Sequence, residues 1–254
     1  MAGRLAGRIA LVTGASSGLG RRFAVVMARE GAAIVAAARR KDRLDDLVKE
    51  IAEAGGRAIA VECDVTREDS VIDAFNVAER EFGLVDTVVN NAGMTHSDNA
   101  VTQSVDEFRR IMDLNVTSVW MVAREAARRL IKAGPEVSSR GRIVNIASMA
   151  ARHVIPNVAA YCASKAACAH LTRSLAREWA RYGVNVNALS PGYVATELTE
   201  DWLNSEGGAK TLQKTPRRRI MDAESLDEAI LFLCSDDSKF VTGTDLLVDD
   251  GQSM

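Results

Sequence analysis

The chain predicts a doubly wound α/β domain, a parallel sheet of about seven strands between two layers of helices. Three observations carry that prediction. Short aliphatic or β-branched runs alternate with longer amphipathic stretches along the whole sequence, the pattern of repeated βαβ units. The apolar runs are nearly continuous, as suits strands covered by helices on both faces. A glycine-rich turn, TGASSGLG (Thr13 to Gly20), separates the first run from the first amphipathic stretch.

Strands are expected at 8–13, 33–37, 57–62, 85–90, 141–148, 184–190 and 245–250, and helices at 18–30, 42–54, 67–82, 104–133 and 159–182. Two start signals support the helices: Ser104-x-x-Glu107 reads as a capping box, and Thr66 precedes REDS. The polar segment 133–142 reads as a surface loop. Segment 191–222 interrupts the rhythm, and a connection of that length in a compact domain is usually functional. It carries Val194, Leu198, Trp202, Leu203 and Leu212 around a Gly207–Gly208 pair, and 192–221 is read as a hinged, mobile lid over a substrate. No linker or internal repeat divides the chain, so 1–254 is read as one domain.

Composition narrows the function by exclusion. With 32 basic against 34 acidic residues the net charge is −2, which leaves no electrostatic footprint for nucleic acid or an acidic membrane surface. The densest basic run, Arg217 to Arg219, reads as a solvated surface. Cys63, Cys162, Cys168 and Cys234 show no metal-ligand spacing and read as reduced thiols. No apolar run reaches the roughly 18 residues of a membrane helix, and the expected location is the cytoplasm.

In the glycine turn, Gly14 lets the chain leave the strand tightly, Gly18 admits close approach of a ligand, and Gly20 permits close helix packing. The free N–H groups around Ser16, Ser17 and Leu19 then face a pyrophosphate at the helix start. The spacing is Gly-x-x-x-Gly-x-Gly, not the general Gly-x-Gly-x-x-Gly; its place between strand and helix reads as the phosphate-binding turn of a Rossmann-type domain, with an ordinary structural turn the alternative. The second strand ends in Ala38, Arg39 and Arg40, where an acid would bind the ribose hydroxyl of NAD(H). A guanidinium suits a 2′-phosphate, so NADP(H) is preferred, with NAD(H) the alternative.

Tyr161 and Lys165 are four residues apart on a predicted helix, with Ser148 thirteen residues upstream at the end of a predicted strand. Residues four apart share a helix face. A free tyrosine is a poor proton shuttle at neutral pH, and an adjacent ammonium favours its phenolate. Alone, Tyr-x-x-x-Lys is an ordinary surface pair. Beside Ser148 and a dinucleotide turn it reads as redox machinery.

Together these motifs resemble the classical short-chain dehydrogenase/reductase family over nearly the whole chain. The turn matches that family's Thr-Gly-x-x-x-Gly-x-Gly pattern. Cys63-Asp64-Val65 resembles the segment whose acid meets the adenine, with Val65 beside it. Asn90 to Gly93 matches the motif in which Asn91, Ala92 and Gly93 line the cofactor. Asn115, Ser148, Tyr161 and Lys165 match the catalytic tetrad, and Tyr161 and Lys165 also border the nicotinamide ribose. Pro191 to Thr196 matches the segment whose Pro191, Gly192, Val194 and Thr196 meet the nicotinamide end.

The resemblance implies a carbonyl/secondary-alcohol oxidoreductase in which Tyr161 moves the proton, Ser148 holds the substrate oxygen and Asn115 holds a water linking Lys165 to solvent. Ser148 and Tyr161 would contact the substrate. His153 and Tyr193, with His96 and Met149, lie next to motif residues and are candidates to line its pocket, His96 and His153 reading equally as surface or hydrogen-bonded histidines. Candidate substrates are a 3-oxoacyl thioester, with Arg177 or Arg128–Arg129 meeting an acyl carrier, or a sugar, polyol or steroid alcohol. A non-catalytic nucleotide sensor would be expected to lose one of the tetrad, and all are present. A homotetramer packed through 104–133 and 159–182 is also implied. The chain departs from the pattern after the lid, where TPRRRIMDAESLDEA lacks the usual Gly-Arg and Pro-Glu punctuation, and at Asp250, where glycine is common.

Overall fold

The computed structural model describes residues 3–197, 199 and 205–254. Its strands are β1 (Ile9–Thr13), β2 (Ala33–Ala38), β3 (Arg57–Glu62), β4 (Thr87–Asn90), β5 (Arg142–Ile146), β6 (Asn185–Pro191) and β7 (Asp245–Val248). All pair in parallel, in the order β3-β2-β1-β4-β5-β6-β7. The winding reverses between β1 and β4, and such a switch point opens a crevice at the carboxyl ends of the strands.

The helices are α1 (Gly18–Arg29), α2 (Lys41–Glu53), α3 (Glu68–Glu81), α4 (Val105–Met112), α5 (Ser118–Lys132), α6 (Pro135–Ser138), α7 (Ala159–Trp179), α8 (Glu206–Lys214) and α9 (Asp227–Cys234). Side chains on successive strand residues point to opposite faces, and β2 divides accordingly. Ile34 and Ala36 join Phe23, Met27, Leu44 and Ile230 in one core, while Val35 and Ala37 join Val71, Phe75, Leu130 and Leu175 in the other. One core thus lies under α1, α2 and α9, and the second under α3, α5 and α7.

The expected helix 104–133 is not continuous. Ser104 caps α4 by accepting the Glu107 N–H at 3.1 Å, as its motif predicts. Asp113–Thr117 then forms a π-turn before α5 begins. Ser118 N–H reaches back five residues to the Asp113 carbonyl, and the wider turn accommodates buried Asn115. π-turns inside helices occur frequently at functional sites. The loop 133–142 contains α6, and the long interruption contains α8. Thr66 does not cap α3, whose cap position is Arg67; its hydroxyl donates to Asp64 instead, at 2.7 Å.

A buried polar chain fixes α7 to the sheet. Asn90 Nδ2 donates to Asn145 Oδ1 across the β4–β5 pairing at 2.9 Å, and Asn145 Nδ2 donates to Thr172 Oγ1 at 2.9 Å. Thr172 in turn donates to the Cys168 carbonyl at 2.9 Å. Asn90, Asn145 and Thr172 thus each hydrogen-bond within the interior, and a buried polar network so paired stabilises rather than costs.

Candidate active site

Four elements converge at the carboxyl end of β4 and β5. Lys165, buried on α7, donates from Nζ to the Ile146 carbonyl at 2.8 Å, where β5 ends. Its Nζ lies 5.7 Å from the centre of the Tyr161 ring, one helical turn earlier. Ser148 opens the turn Met149–Ala151, which packs against α7, and its Oγ accepts the Ala150 N–H at 3.1 Å. With the backbone donating to that oxygen, the serine's own hydrogen is available to a third group. A methyl in place of Gly93 would lie 3.3 Å from Asn115 Oδ1 and 3.5 Å from Lys165 Nζ, so the glycine stands between them.

Asn115 is fully committed through its side chain. Oδ1 accepts the Met94 N–H at 2.9 Å, and Nδ2 donates to the Met94 carbonyl and to Ser164 Oγ, each at 2.9 Å. Ser164, wholly buried, donates to the Tyr161 carbonyl at 2.8 Å. The amide therefore braces the π-turn against both the loop after β4 and the first turn of α7. Ser164 stood inside the Tyr-x-x-Ser-Lys run without any role assigned to it. A polar residue three positions after Tyr161, one helical turn along the same face, is the signal that could have found it.

The glycine turn lies at the switch point. Gly14 and Gly18 have φ of 65° and 53°, the left-handed region that glycine adopts without strain. A side chain on Gly20 would come within 2.4 Å of Asn91 Nδ2 and of the Gly14 carbonyl. Asn91 Nδ2 donates to the Thr13 carbonyl at 3.0 Å, while Thr13 Oγ1 accepts the Asn91 and Ala92 N–H groups at 3.0 and 3.1 Å. Asn91 and Thr13 thus lash the β4 motif to the turn. Leu19 is half-buried against the first core and Val65 is buried in the second, so Val65 presents only backbone to the crevice.

At the start of α1, no acid occupies the first turn and the Ser17 side chain caps no N–H group. Both serine hydroxyls turn instead to Arg40, whose Nη2 donates to Ser16 Oγ at 3.0 Å and to Ser17 Oγ at 2.7 Å. Arg39 is exposed and stands beside Asp64. Hydrogen bonds from Thr66 hold the Asp64 carboxyl below its ordinary range, assisted by Arg39 and Arg67 and opposed by burial. This donor set, an uncapped helix start with a guanidinium and two hydroxyls beside it, fits the phosphates of a nicotinamide dinucleotide.

Pro191 ends β6 in register with Val248. Beyond it the chain crosses the glycine turn, where the Thr196 methyl would lie 3.9 Å from a methyl on Gly18. Tyr193 is half-buried; burial first, then Cys162 and Tyr161, push its phenol above the ordinary value. The loop carrying His153 joins that carrying His96 through the Asp98 N–H, which donates to the Asn157 carbonyl at 2.8 Å. His153 is exposed, and His96 faces Glu107 at 3.9 Å. Leu198, Trp202 and Leu203 lie outside the described residues.

The geometry has close counterparts. A family model described as enoyl-(acyl carrier protein) reductase matches residues 14–253. Gluconate 5-dehydrogenase of Gluconobacter oxydans is 38% identical over 248 residues, 97% of this chain and 95% of the relative. The 7α-hydroxysteroid dehydrogenase of Escherichia coli is 35% identical over 248 residues, 98% of this chain and 95% of the relative. A crystal structure of a Burkholderia cenocepacia gluconate 5-dehydrogenase with NADP and tartrate superposes with a TM-score of 0.92, at 34% identity, covering 98% of this chain and 96% of that one. The chain belongs to the classical short-chain dehydrogenase/reductase family, oxidoreductases that act on CH–OH groups with a nicotinamide cofactor.

Proposed function

We propose that the protein interconverts a carbonyl and a secondary alcohol with NADP(H), using Tyr161 as general acid and base. The observation that carries this reading is Lys165 beside the Tyr161 ring at the end of β5, with the Ser148 turn packed on the same helix and Asn115 bonded to it through Ser164. Bound there, the nicotinamide supplies or accepts the hydride. Asp64, Asn91 to Gly93 and Pro191 to Thr196 would line its length, with Arg40 and the two serines on the 2′-phosphate.

In the reductive direction negative charge builds on the carbonyl oxygen. Tyr161 gives that oxygen a proton, and the Ser148 hydroxyl, oriented by the Ala150 N–H, donates a hydrogen bond to it. Lys165 holds positive charge beside the phenol. A proton from solvent would reach the phenol past Lys165, while the Asn115 side chain, spent on Met94 and Ser164, braces the turn beside it. Tyr193 and His153 would border the substrate, under a lid formed by 192–221.

For the substrate, the gluconate dehydrogenases among the relatives favour a sugar acid or polyol. The 3-oxoacyl thioester reading is second. Arg128 and Arg129, candidates for meeting an acyl carrier, are engaged by Glu125 at 3.0 and 2.7 Å, with Glu79 also on Arg129. Among the described residues no helix is long and apolar enough to cross a membrane; a cytoplasmic homotetramer is the form proposed.

The test is NADPH oxidation against 5-oxogluconate, acetoacetyl thioester and cyclic diketones, repeated with NADH. Tyr161→Phe should keep NADPH binding and lose about 10²- to 10⁴-fold in kcat. Full activity in that variant would end the general-acid assignment. NADPH binding without turnover of any carbonyl would favour the nucleotide sensor.

A further inference from the structure

The two departures from the family pattern, the arginine run and Asp250, meet each other in space. Asp250 accepts from Arg219 Nε at 2.6 Å and Nη2 at 3.1 Å, and pairs with Arg217 Nη1 at 3.0 Å. It does so from a left-handed backbone, φ 52°, which glycine would adopt freely. The carboxylate therefore occupies this position at some conformational cost, with the ion pairs as its return.

The next-but-one residue turns inward. Gln252 is 6% exposed. Its Oε1 accepts the Tyr193 N–H at 2.6 Å, and its Nε2 donates to the Arg219 carbonyl at 3.2 Å. One side chain thus holds both the outgoing and the returning arm of 192–221. The arms also meet directly: Met221 N–H donates to the Tyr193 carbonyl at 3.1 Å, and Ala195 N–H to the Met221 carbonyl at 3.0 Å. Buried Asp249 shapes the turn by accepting the Gly251 and Ser253 N–H groups, each at 3.0 Å. A methyl on Gly192 would lie 2.4 Å from Gln252 Oε1 and 2.8 Å from the Asp249 Cα, so glycine there admits the turn against the backbone.

We propose that Gln252 is a positioning residue for the substrate end of the site, holding Tyr193 through its backbone, and that Asp250 fastens the same turn to the returning arm. This rests on the reading of Tyr193 as a substrate neighbour. Gln252 touches neither the Arg40–Ser16–Ser17 cradle nor the tetrad but holds Tyr193 inside 191–196, so its loss should act on the carbonyl and the nicotinamide end and not on the choice between NADPH and NADH.

Amide hydrogen exchange on the full chain loaded with NADPH tests the proposal without needing turnover. Gln252→Met, similar in length but without amide groups, should exchange about tenfold faster in peptides covering 192–196 and 217–222, with β5 and α7 peptides unchanged. The preference for NADPH over NADH should stay within about twofold, and the KM for a carbonyl from the panel should rise by more than the NADPH dissociation constant. Unchanged protection at 192–196, or loss of protection across the whole chain, would overturn the positioning role. Asp250→Asn should loosen only 217–222, and 0.5 M salt should reproduce that in the parent protein, since exposed pairs are screened. Protection at 217–222 indifferent to both would overturn the fastening role. If no carbonyl is reduced, the proposed function fails while the exchange result stands on its own.

Discussion

Asn115 and Ser164 meet at 2.9 Å, the amide of a π-turn donating to a hydroxyl on the helix that carries Tyr161 and Lys165. Neither side chain faces solvent. The bond joins the two helical elements whose spacing sets where phenol and ammonium stand.

Ser164→Ala should therefore cost stability as well as rate. It strands one N–H of the Asn115 amide, since the other is held by the Met94 carbonyl. An unsatisfied buried donor costs about 1–3 kcal/mol. The denaturant midpoint should fall with an unchanged m-value, and kcat should fall with NADPH affinity retained.

Cofactor choice should follow Arg40 more than Arg39. Arg40 alone of the pair hydrogen-bonds both serine hydroxyls of the turn, and a charge-assisted hydrogen bond contributes about 1.5–3 kcal/mol. Arg40→Ala should weaken NADPH by roughly 10- to 100-fold in kcat/KM while leaving NADH within a few-fold. A larger loss in Arg39→Ala would reassign the phosphate to that side chain.

Thiol reactivity should single out Cys162. Cys63, Cys168 and Cys234 are buried, and burial pushes their thiols up, that of Cys234 to about 12. Cys162 is half-buried. A disulfide exchange reagent at neutral pH should titrate one thiol in the native protein and four after denaturation. Rapid reaction of a second thiol would contradict the packing around α7 and α9.

Acid should erase the contribution of the Asp64–Thr66 turn. Thr66 donates from hydroxyl and backbone to Asp64 Oδ1, and the carboxyl is lowered below its unfolded value. A depressed carboxylate stabilises the fold above its unfolded pKa, and that stability is lost as pH falls through the folded one. Thr66→Val should destabilise at neutral pH, with the difference narrowing through the acid range. Carboxyl resonances of Asp64 should move to higher pKa in the variant; an unmoved resonance would break the link.

Much of the molecule could be read from residue order. The strands lie within a few residues of their expected limits because each is a short apolar run bounded by turn residues. Gly14, Gly18 and Gly20 were legible because their conformations and contacts demand glycine. The break at Asp113–Thr117 was not, because the amphipathic pattern continues through it and the bonds of Asn115 that accompany the wider turn go to Met94 and Ser164, distant in sequence. Asn90 read as the end of one strand and Asn145 as the interior of another, yet they carry the polar chain that anchors α7.

Local sequence determined the strand–helix rhythm, the glycine turn and the pairing of Tyr161 with Lys165, since these depend on backbone preference and on spacing along one element. The tertiary structure decided which arginine reaches the serines, where the Asn115 amide is spent, and how Gln252 and Asp250 grip 192–221. Those partners lie between 21 and 59 residues apart in the chain. Hydrogen bonds and ion pairs act over a few ångströms whatever the separation in sequence, so only the closed fold could select them.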